Sequence, residues 1–238
     1  MTSPEEYKRL AAIAAVNEVR SGMALGLGTG STANYAVEEI GRRIADGRLT
    51  GVCGIPSSVQ TELLARAAGI PLVTFDERQT LDLTIDGADE IDPELRLIKG
   101  GGGALLREKV LAQASDRFIC IADESKLSGA LGEHWALPVE VVPFAWTAVA
   151  QFAEALGATV KLRRKQDGTP TLTDQQNYLL DCNFGVISRP EELSATLSAR
   201  AGIVEHGLFI GLCSAAIIAG PGGLRHISPP NNIIFPPL

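Results

Sequence analysis

The strongest constraint on this chain is where its glycine and polar clusters fall relative to its apolar runs. Met23–Leu27, Val52–Ile55, Pro71–Phe75, Leu81–Asp86, Leu95–Ile98 and Phe118–Ala122 read as short strands. They alternate with helical patterns over Thr32–Ile44, Val59–Ala68 and Ala104–Ala114, after an opening helix that spaces Tyr7, Leu10, Ala11 and Ala14 along one face. Such alternation predicts an α/β fold, a mostly parallel, Rossmann-like sheet with helices on both faces. Polar clusters follow five of these runs: Gly28-Thr29-Gly30-Ser31-Thr32, Pro56-Ser57-Ser58, Asp86-Gly87-Ala88-Asp89-Glu90, Lys99 to Gly103, and Asp123-Glu124-Ser125-Lys126. Carboxyl ends of parallel strands share one edge, so the expectation is five loops converging on one crevice.

From about His134 the rhythm changes. Leu137–Val142 reads as a strand stopped by Pro143, and Ala145–Leu156 as a helix. Two β-like runs flank Gln166 to Pro170, and the second helix, Glu191–Ala199, follows Tyr178–Asn183. That order predicts an inserted α+β, ferredoxin-like lobe. The expected division is 1–133 with 207–238 as the main domain and 134–206 as the lobe, which suits a 238-residue chain at about 150 residues per domain. The basic run Lys161-Leu162-Arg163-Arg164-Lys165 reads as a solvated strand edge, with an anion site as the alternative. The tail from Ser228 to Leu238 is apolar and proline-rich, fit for a subunit contact or for disorder.

A net charge of −7 argues against a nucleic-acid or anionic-membrane partner held by a broad basic surface, so any bound anion must be gripped locally. The polar, acidic N-terminus is unlike a signal peptide, and no run approaches the roughly 18 apolar residues of a membrane span. A cytoplasmic protein is expected. Cys53, Cys120, Cys182 and Cys213 lack paired spacing and read as thiols in a reducing compartment.

The first loop combines glycines with Thr29, Ser31 and Thr32 at a helix start, where backbone donors and the helix dipole suit a phosphate. A tight turn capped by Ser31 or Thr32 is the structural alternative. Asp86, Asp89, Glu90 and Asp92 fail as a calcium loop; Mg²⁺ stays open, and an exposed acidic turn is the commoner form of such a run. Asp86 differs, because strand alternation puts its carboxylate at the crevice mouth. Lys99-Gly100-Gly101-Gly102-Gly103 forms an anion nest before a helix. On that helix Glu108 projects among Ala104, Leu105, Leu111 and Ala112, a setting that raises a carboxyl pKa and suits a general base; the alternative is a structural ion pair, for example with Lys126. The three histidines are isolated, and neither a serine elbow nor a zinc motif occurs.

Taken in order, Gly28 to Thr32, Gly54 to Ser58, Asp86 to Glu90, Lys99 to Lys109 and Ala122 to Lys126 resemble ribose-5-phosphate isomerase, type A, and the likeness continues through Leu137-Pro138-Val139-Glu140-Val141 and Gly207-Leu208-Phe209. The resemblance implies reversible conversion of D-ribose 5-phosphate to D-ribulose 5-phosphate in the pentose phosphate pathway, without cofactor or metal, in a homo-oligomer (dimer or tetramer) to which the lobe would contribute. Glu108 resembles the family's proton acceptor. Thr29, Gly30, Ser31 and Thr32, then Asp86, Gly87, Ala88 and Asp89, then Lys99, Gly100, Gly101 and Gly102, and finally Lys126 match its substrate-binding segments. On this likeness Glu108, Asp86, Asp89 and Lys99 are the expected catalytic groups.

Two other readings compete. A related sugar-phosphate isomerase or amino-sugar phosphate deaminase would share the phosphate loop, but ring opening of an amino sugar calls for a histidine, and the five loops contain none. A sugar-phosphate-sensing module would carry a DNA-binding helix pair and a basic patch, and would not need Glu108 on an apolar face.

Overall fold

The computed structural model describes residues 3–229, so the tail from Pro230 onward lies outside the described residues. In chain order the elements are α1 (Pro4–Val16), β1 (Ala24–Leu27), α2 (Ser31–Ala45), β2 (Cys53–Pro56), α3 (Val59–Ala67), β3 (Leu83–Asp86), β4 (Glu90–Ile91), β5 (Leu97–Ile98), α4 (Leu105–Gln113), β6 (Phe118–Asp123), β7 (Leu137–Val141), α5 (Trp146–Ala155), β8 (Thr159–Leu162), β9 (Tyr178–Asn183), α6 (Pro190–Ser198), β10 (Ile203–His206), β11 (Leu208–Phe209), β12 (Ala215–Gly220) and β13 (Gly223–Ile227). Two compact units result: one up to Ala88, Arg107–Lys126 and from Gly211 on, the other Asp89–Leu106 with Leu127–Ile210. Three of the four chain crossings, after Ala88, Leu106 and Lys126, fall within or beside the polar motifs.

The first unit is built on a six-stranded sheet in the order β13-β12-β6-β3-β1-β2, parallel except for the β12–β13 hairpin. The expected strand Pro71–Phe75 is reduced to an isolated parallel bridge between Leu72 and Gly54, because Pro71 lacks a backbone donor and the segment turns away after Val73. Counting that bridge as the third strand, the order is 3-2-1-4-5-6, the doubly wound arrangement whose strand order reverses between β1 and β3. Strand alternation sorts the faces. Leu25 and Leu27 point to α1, α2 and α3 through Ala11, Val16, Val37, Ile40 and Ala65, whereas Ala24 and Ile55 point to Leu111 of α4.

The second unit holds a four-stranded antiparallel sheet in the order β10-β7-β9-β8 with α5 and α6, the β-α-β-β-α-β order of a ferredoxin-like lobe. Val139, Val141, Val149, Leu180 and Leu197 form its core. A small antiparallel sheet, β11-β5-β4, belongs to the same unit. This corrects one expectation: Leu97–Ile98 pairs with Phe209 and Glu90 rather than joining the parallel sheet, so the Lys99 loop does not leave a parallel strand. Four of the five loops do. No helix among the described residues is long and apolar enough to cross a membrane.

Candidate active site

In the first unit the site is built at the sheet edge where β1 and β3 diverge. Gly26 and Gly28 lie beside Thr84 and Asp86, and a Cβ at Gly26 would come within 1.8 Å of Thr84 Oγ1. At Gly28 it would lie 2.2 Å from Asp86 Oδ1 and 2.6 Å from Asp86 Cα. The Gly28 N–H donates to the Ile85 carbonyl, so this glycine serves the sheet and clears space for Asp86. Asp86, 1% exposed, accepts hydrogen bonds at Oδ1 from the backbone N–H of Thr29 (3.0 Å) and of Gly87 (2.7 Å).

Two residues earlier on β3, Thr84 meets Ser115 Oγ at 2.7 Å, and Ser115 donates to the Leu111 carbonyl at 2.7 Å. This hydroxyl pair staples the last turn of α4 to β3. Glu108 on the same helix is 5% exposed, and its neighbour Lys109 is buried too while Val110 faces outward. Leu105, Leu111 and Ala112, expected beside Glu108, are buried with it, and Lys109, expected to flank that face, is buried as well.

The loop after β1 enters α2 through Gly30 at φ 110°, and no side chain from this N-cap bonds the first turn. The alternative in which Ser31 or Thr32 caps the helix is not what forms: the N-cap is a glycine, which leaves the donors of the first turn without a cap from the residue preceding the helix. Thr29 Oγ1 instead turns toward β2 and α3, lying 2.6 Å from Ser57 Oγ, 2.8 Å from Ser58 Oγ and 2.9 Å from Thr61 Oγ1. Ser58 caps α3 by accepting from the Thr61 N–H. Lys126 ends a short 3₁₀ turn after β6 and is half-buried.

The second unit holds the remaining motif residues. Asp89 Oδ2 accepts from the Gly101 N–H at 2.7 Å, and a Cβ at Gly101 would lie 2.5 Å from the same carboxylate. Lys99 is 2% exposed with its Nζ 5.5 Å from the Phe209 ring centre, a cation–π arrangement. Arg163, read from sequence as part of a solvated edge, instead donates to the carbonyls of Gly100 (3.1 Å) and Gly101 (2.9 Å) and pairs with Asp181. It fixes the glycine loop from below, a role with no local sequence signal.

The acidic run is not an exposed turn. Asp86, Glu90 and Asp92 are each 1% exposed, and each has its own partners. Glu90 accepts from the backbone of Gly132 and His134, and Asp92 pairs with Arg96 at 2.6 Å. Among the described residues no group of three or more His, Cys, Asp or Glu side chains is arranged to hold a metal ion.

Comparison with known proteins follows the same pattern. Residues 53–223 match the family model of ribose 5-phosphate isomerase A (phosphoriboisomerase A). Ribose-5-phosphate isomerase A of Chloroflexus aurantiacus is 57% identical over 95% of both chains. Among solved structures, a D-ribose-5-phosphate isomerase in complex with phospho-erythronic acid superposes with a TM-score of 0.93 at 34% identity, covering 95% of this chain and 99% of the other. Ribose 5-phosphate isomerase from Plasmodium falciparum gives 0.92 at 39% identity, covering 95% and 100%.

Proposed function

The chain belongs to the ribose 5-phosphate isomerase A family, and from that premise we infer that it interconverts D-ribose 5-phosphate and D-ribulose 5-phosphate. Aldose–ketose isomerisation needs one base to carry a proton between C2 and C1 and a second group to move protons among the sugar oxygens. Glu108, buried on α4, takes the carbon-bound proton, generating an enediolate, and returns it to the neighbouring carbon. Asp86 opens the furanose ring by relaying a proton from the C1 hydroxyl to the ring oxygen, and afterwards shuttles protons between O1 and O2, with Asp89 orienting it. Lys99 offsets the charge that develops on the enediolate oxygen. Lys126 and the start of α2, from Gly30 to Thr32, hold the phosphate, Thr29 lies directly before them in the same loop, and Gly87, Ala88 and Gly100 to Gly102 line the sugar with backbone.

The observation that carries this reading is the pair of buried carboxylates on neighbouring elements of one unit, Asp86 at the end of β3 and Glu108 on the helix stapled to β3 by Thr84 and Ser115. Burying two such groups costs stability, and active sites are where such a cost is retained. A relative bound to phospho-erythronic acid, a phosphorylated sugar acid, supports a substrate with the same phosphate handle. Ketose formation from ribose 5-phosphate tests the reading. Turnover that survives EDTA and collapses in Glu108→Gln agrees with it, and full turnover in folded Glu108→Gln rejects it.

The enzyme's place is the non-oxidative pentose phosphate pathway in the cytoplasm, and its active form is a homo-oligomer. The second unit supplies a surface for self-association: Phe144 is 97% exposed, with Val142 at 41% two residues before it. Exposed apolar groups of this size on one turn favour a covered face.

A further inference from the structure

We propose that Thr29 is a positioning residue whose side chain is locked inward by Ser57, Ser58 and Thr61, so that its backbone N–H holds Asp86 in place for ring opening. The assignment rests on the isomerase reading for the work of Asp86, and on hydroxyl geometry for the work of Thr29. Each hydroxyl brings one proton. Thr61 donates to the Gly28 carbonyl at 2.9 Å, Ser58 to Thr61 Oγ1 at 3.0 Å and Thr29 to Ser58 Oγ at 2.8 Å. With those three protons committed, Ser57 donates across the 2.6 Å contact to Thr29 Oγ1. Thr29 Oγ1 also lies 2.9 Å from Thr61 Oγ1, so whichever neighbour takes its proton, the Thr29 hydroxyl is engaged within this cluster.

Three of the four hydroxyls in this cluster are buried, and Thr29 itself is half-buried. Ser57, Ser58 and Thr61 are 0%, 6% and 1% exposed. A satisfied hydroxyl network in such surroundings is rigid, because breaking any link strands a buried donor or acceptor. The Thr29 hydroxyl is therefore not a donor toward an incoming phosphate; Ser31, Thr32 and the start of α2 carry that part. What Thr29 offers the site is its N–H, 3.0 Å from Asp86 Oδ1, beside the Gly87 N–H on the same oxygen. The loops after β1 and β2 thus form one braced rim that aims a carboxylate at the end of β3.

The chemistry separates this role from general structural support. Ribose 5-phosphate closes into a furanose through its 4-hydroxyl. Ribulose 5-phosphate has its 5-oxygen esterified and stays open. A misaimed Asp86 should slow consumption of the cyclic aldose while sparing exchange of the C1 proton of the ketose, which is the work of Glu108.

The test compares Thr29→Val, Ser57→Ala and Thr29→Ser with the unaltered protein in two assays: kcat and KM for ribose 5-phosphate, and deuterium entry at C1 of ribulose 5-phosphate in D₂O. Misplacement of a reacting group by about 1 Å costs on the order of 100-fold, so Thr29→Val and Ser57→Ala should lower kcat by about 10- to 100-fold. KM and C1 exchange should stay within about threefold, and Thr29→Ser should recover most of the rate. A raised KM with intact kcat would make the hydroxyl a phosphate ligand instead. Equal losses in kcat and exchange would make the cluster structural only, and unchanged kcat would remove the role altogether. Each of these overturns the proposal. If Thr29→Val does not fold, Ser57→Ala decides alone. Failure of the isomerase reading is seen separately, as an unaltered protein that neither isomerises nor exchanges.

Discussion

Asp86 and Glu140 are both carboxylates on fully buried strands, 1% and 0% exposed, and they are held in opposite ways. Asp86 ends β3 and is gripped by backbone donors, the N–H groups of Thr29 and Gly87, on loops that glycine keeps clear of side chains. Glu140 lies in the middle of β7, and its Oε1 accepts from the side chains of Thr173 (2.8 Å) and Asn177 (2.9 Å) while Oε2 has no hydrogen-bond partner. Burial pushes the Glu140 carboxyl above the ordinary carboxylate range; the bonds from Asn177 and Thr173 work against that shift, and the charges of Glu205 and Asp174 add to it. A strand end with a backbone cradle serves chemistry, and a mid-strand acid tying down a turn serves the lobe. Burial alone does not tell them apart.

If that contrast is right, neutralising the two acids should give opposite phenotypes. Asp86→Asn should lower kcat for ribose 5-phosphate by about 10²–10⁴-fold, read by ketose formation, with the melting temperature nearly unchanged. Gly28→Ala sharpens the same point without touching the acid. Its methyl would lie 2.2 Å from Asp86 Oδ1, so activity should fall by about 100-fold, with a loss of about 1–3 kcal/mol in denaturant melts. Equal activity in Gly28→Ala would mean that the cradle is not tight.

Glu140→Gln should leave kcat within about twofold and act on stability instead. A carboxyl whose folded pKa is raised binds its proton more tightly in the folded state, so its contribution is fully present below the unfolded value and is lost as pH rises through the folded one. The protein should therefore lose stability from the ordinary carboxylate range upward. Glu140→Gln should flatten that slope, so that the variant gains stability relative to the unaltered protein as the pH rises from 5 to 8. A slope that persists in the variant would assign it to another group. The smallest effect expected is at Cys182, where burial pushes the thiol up to about 12. It should resist alkylation at pH 8 in the folded protein, which mass spectrometry can check.

The parts that were legible in the sequence are the local ones. Period and punctuation placed β1, β2, β3 and β6 and the glycine-rich turns after them, because a strand end and a helix start are written within a few residues. The acidic run misled because burial of Glu90 is decided by Gly132 and His134, and that of Asp92 by Arg96. The Lys99 loop misled for a similar reason. A two-residue strand carries no period, and its partner Leu208–Phe209 lies far along the chain. Ser57 and Ser58 read in sequence only as part of the polar cluster after the second strand, and Thr61 carries no signal of its own, although Ser58 also caps α3. Their signal is the fourth hydroxyl, Thr29, just beyond the end of the neighbouring parallel strand, and it becomes meaningful only once β1 and β2 are paired. Arg163 had no signal at all.

The central claim is that Glu108 moves the carbon-bound proton while Asp86 handles oxygen protons. Deuterium entry at C1 of ribulose 5-phosphate, followed by NMR in D₂O with EDTA present, isolates the first of these steps. The unaltered protein should exchange this position, and folded Glu108→Gln should exchange it about 10²–10⁴-fold more slowly. Exchange at the full rate in Glu108→Gln, or none in an unaltered protein that actively isomerises ribose 5-phosphate, would contradict the account.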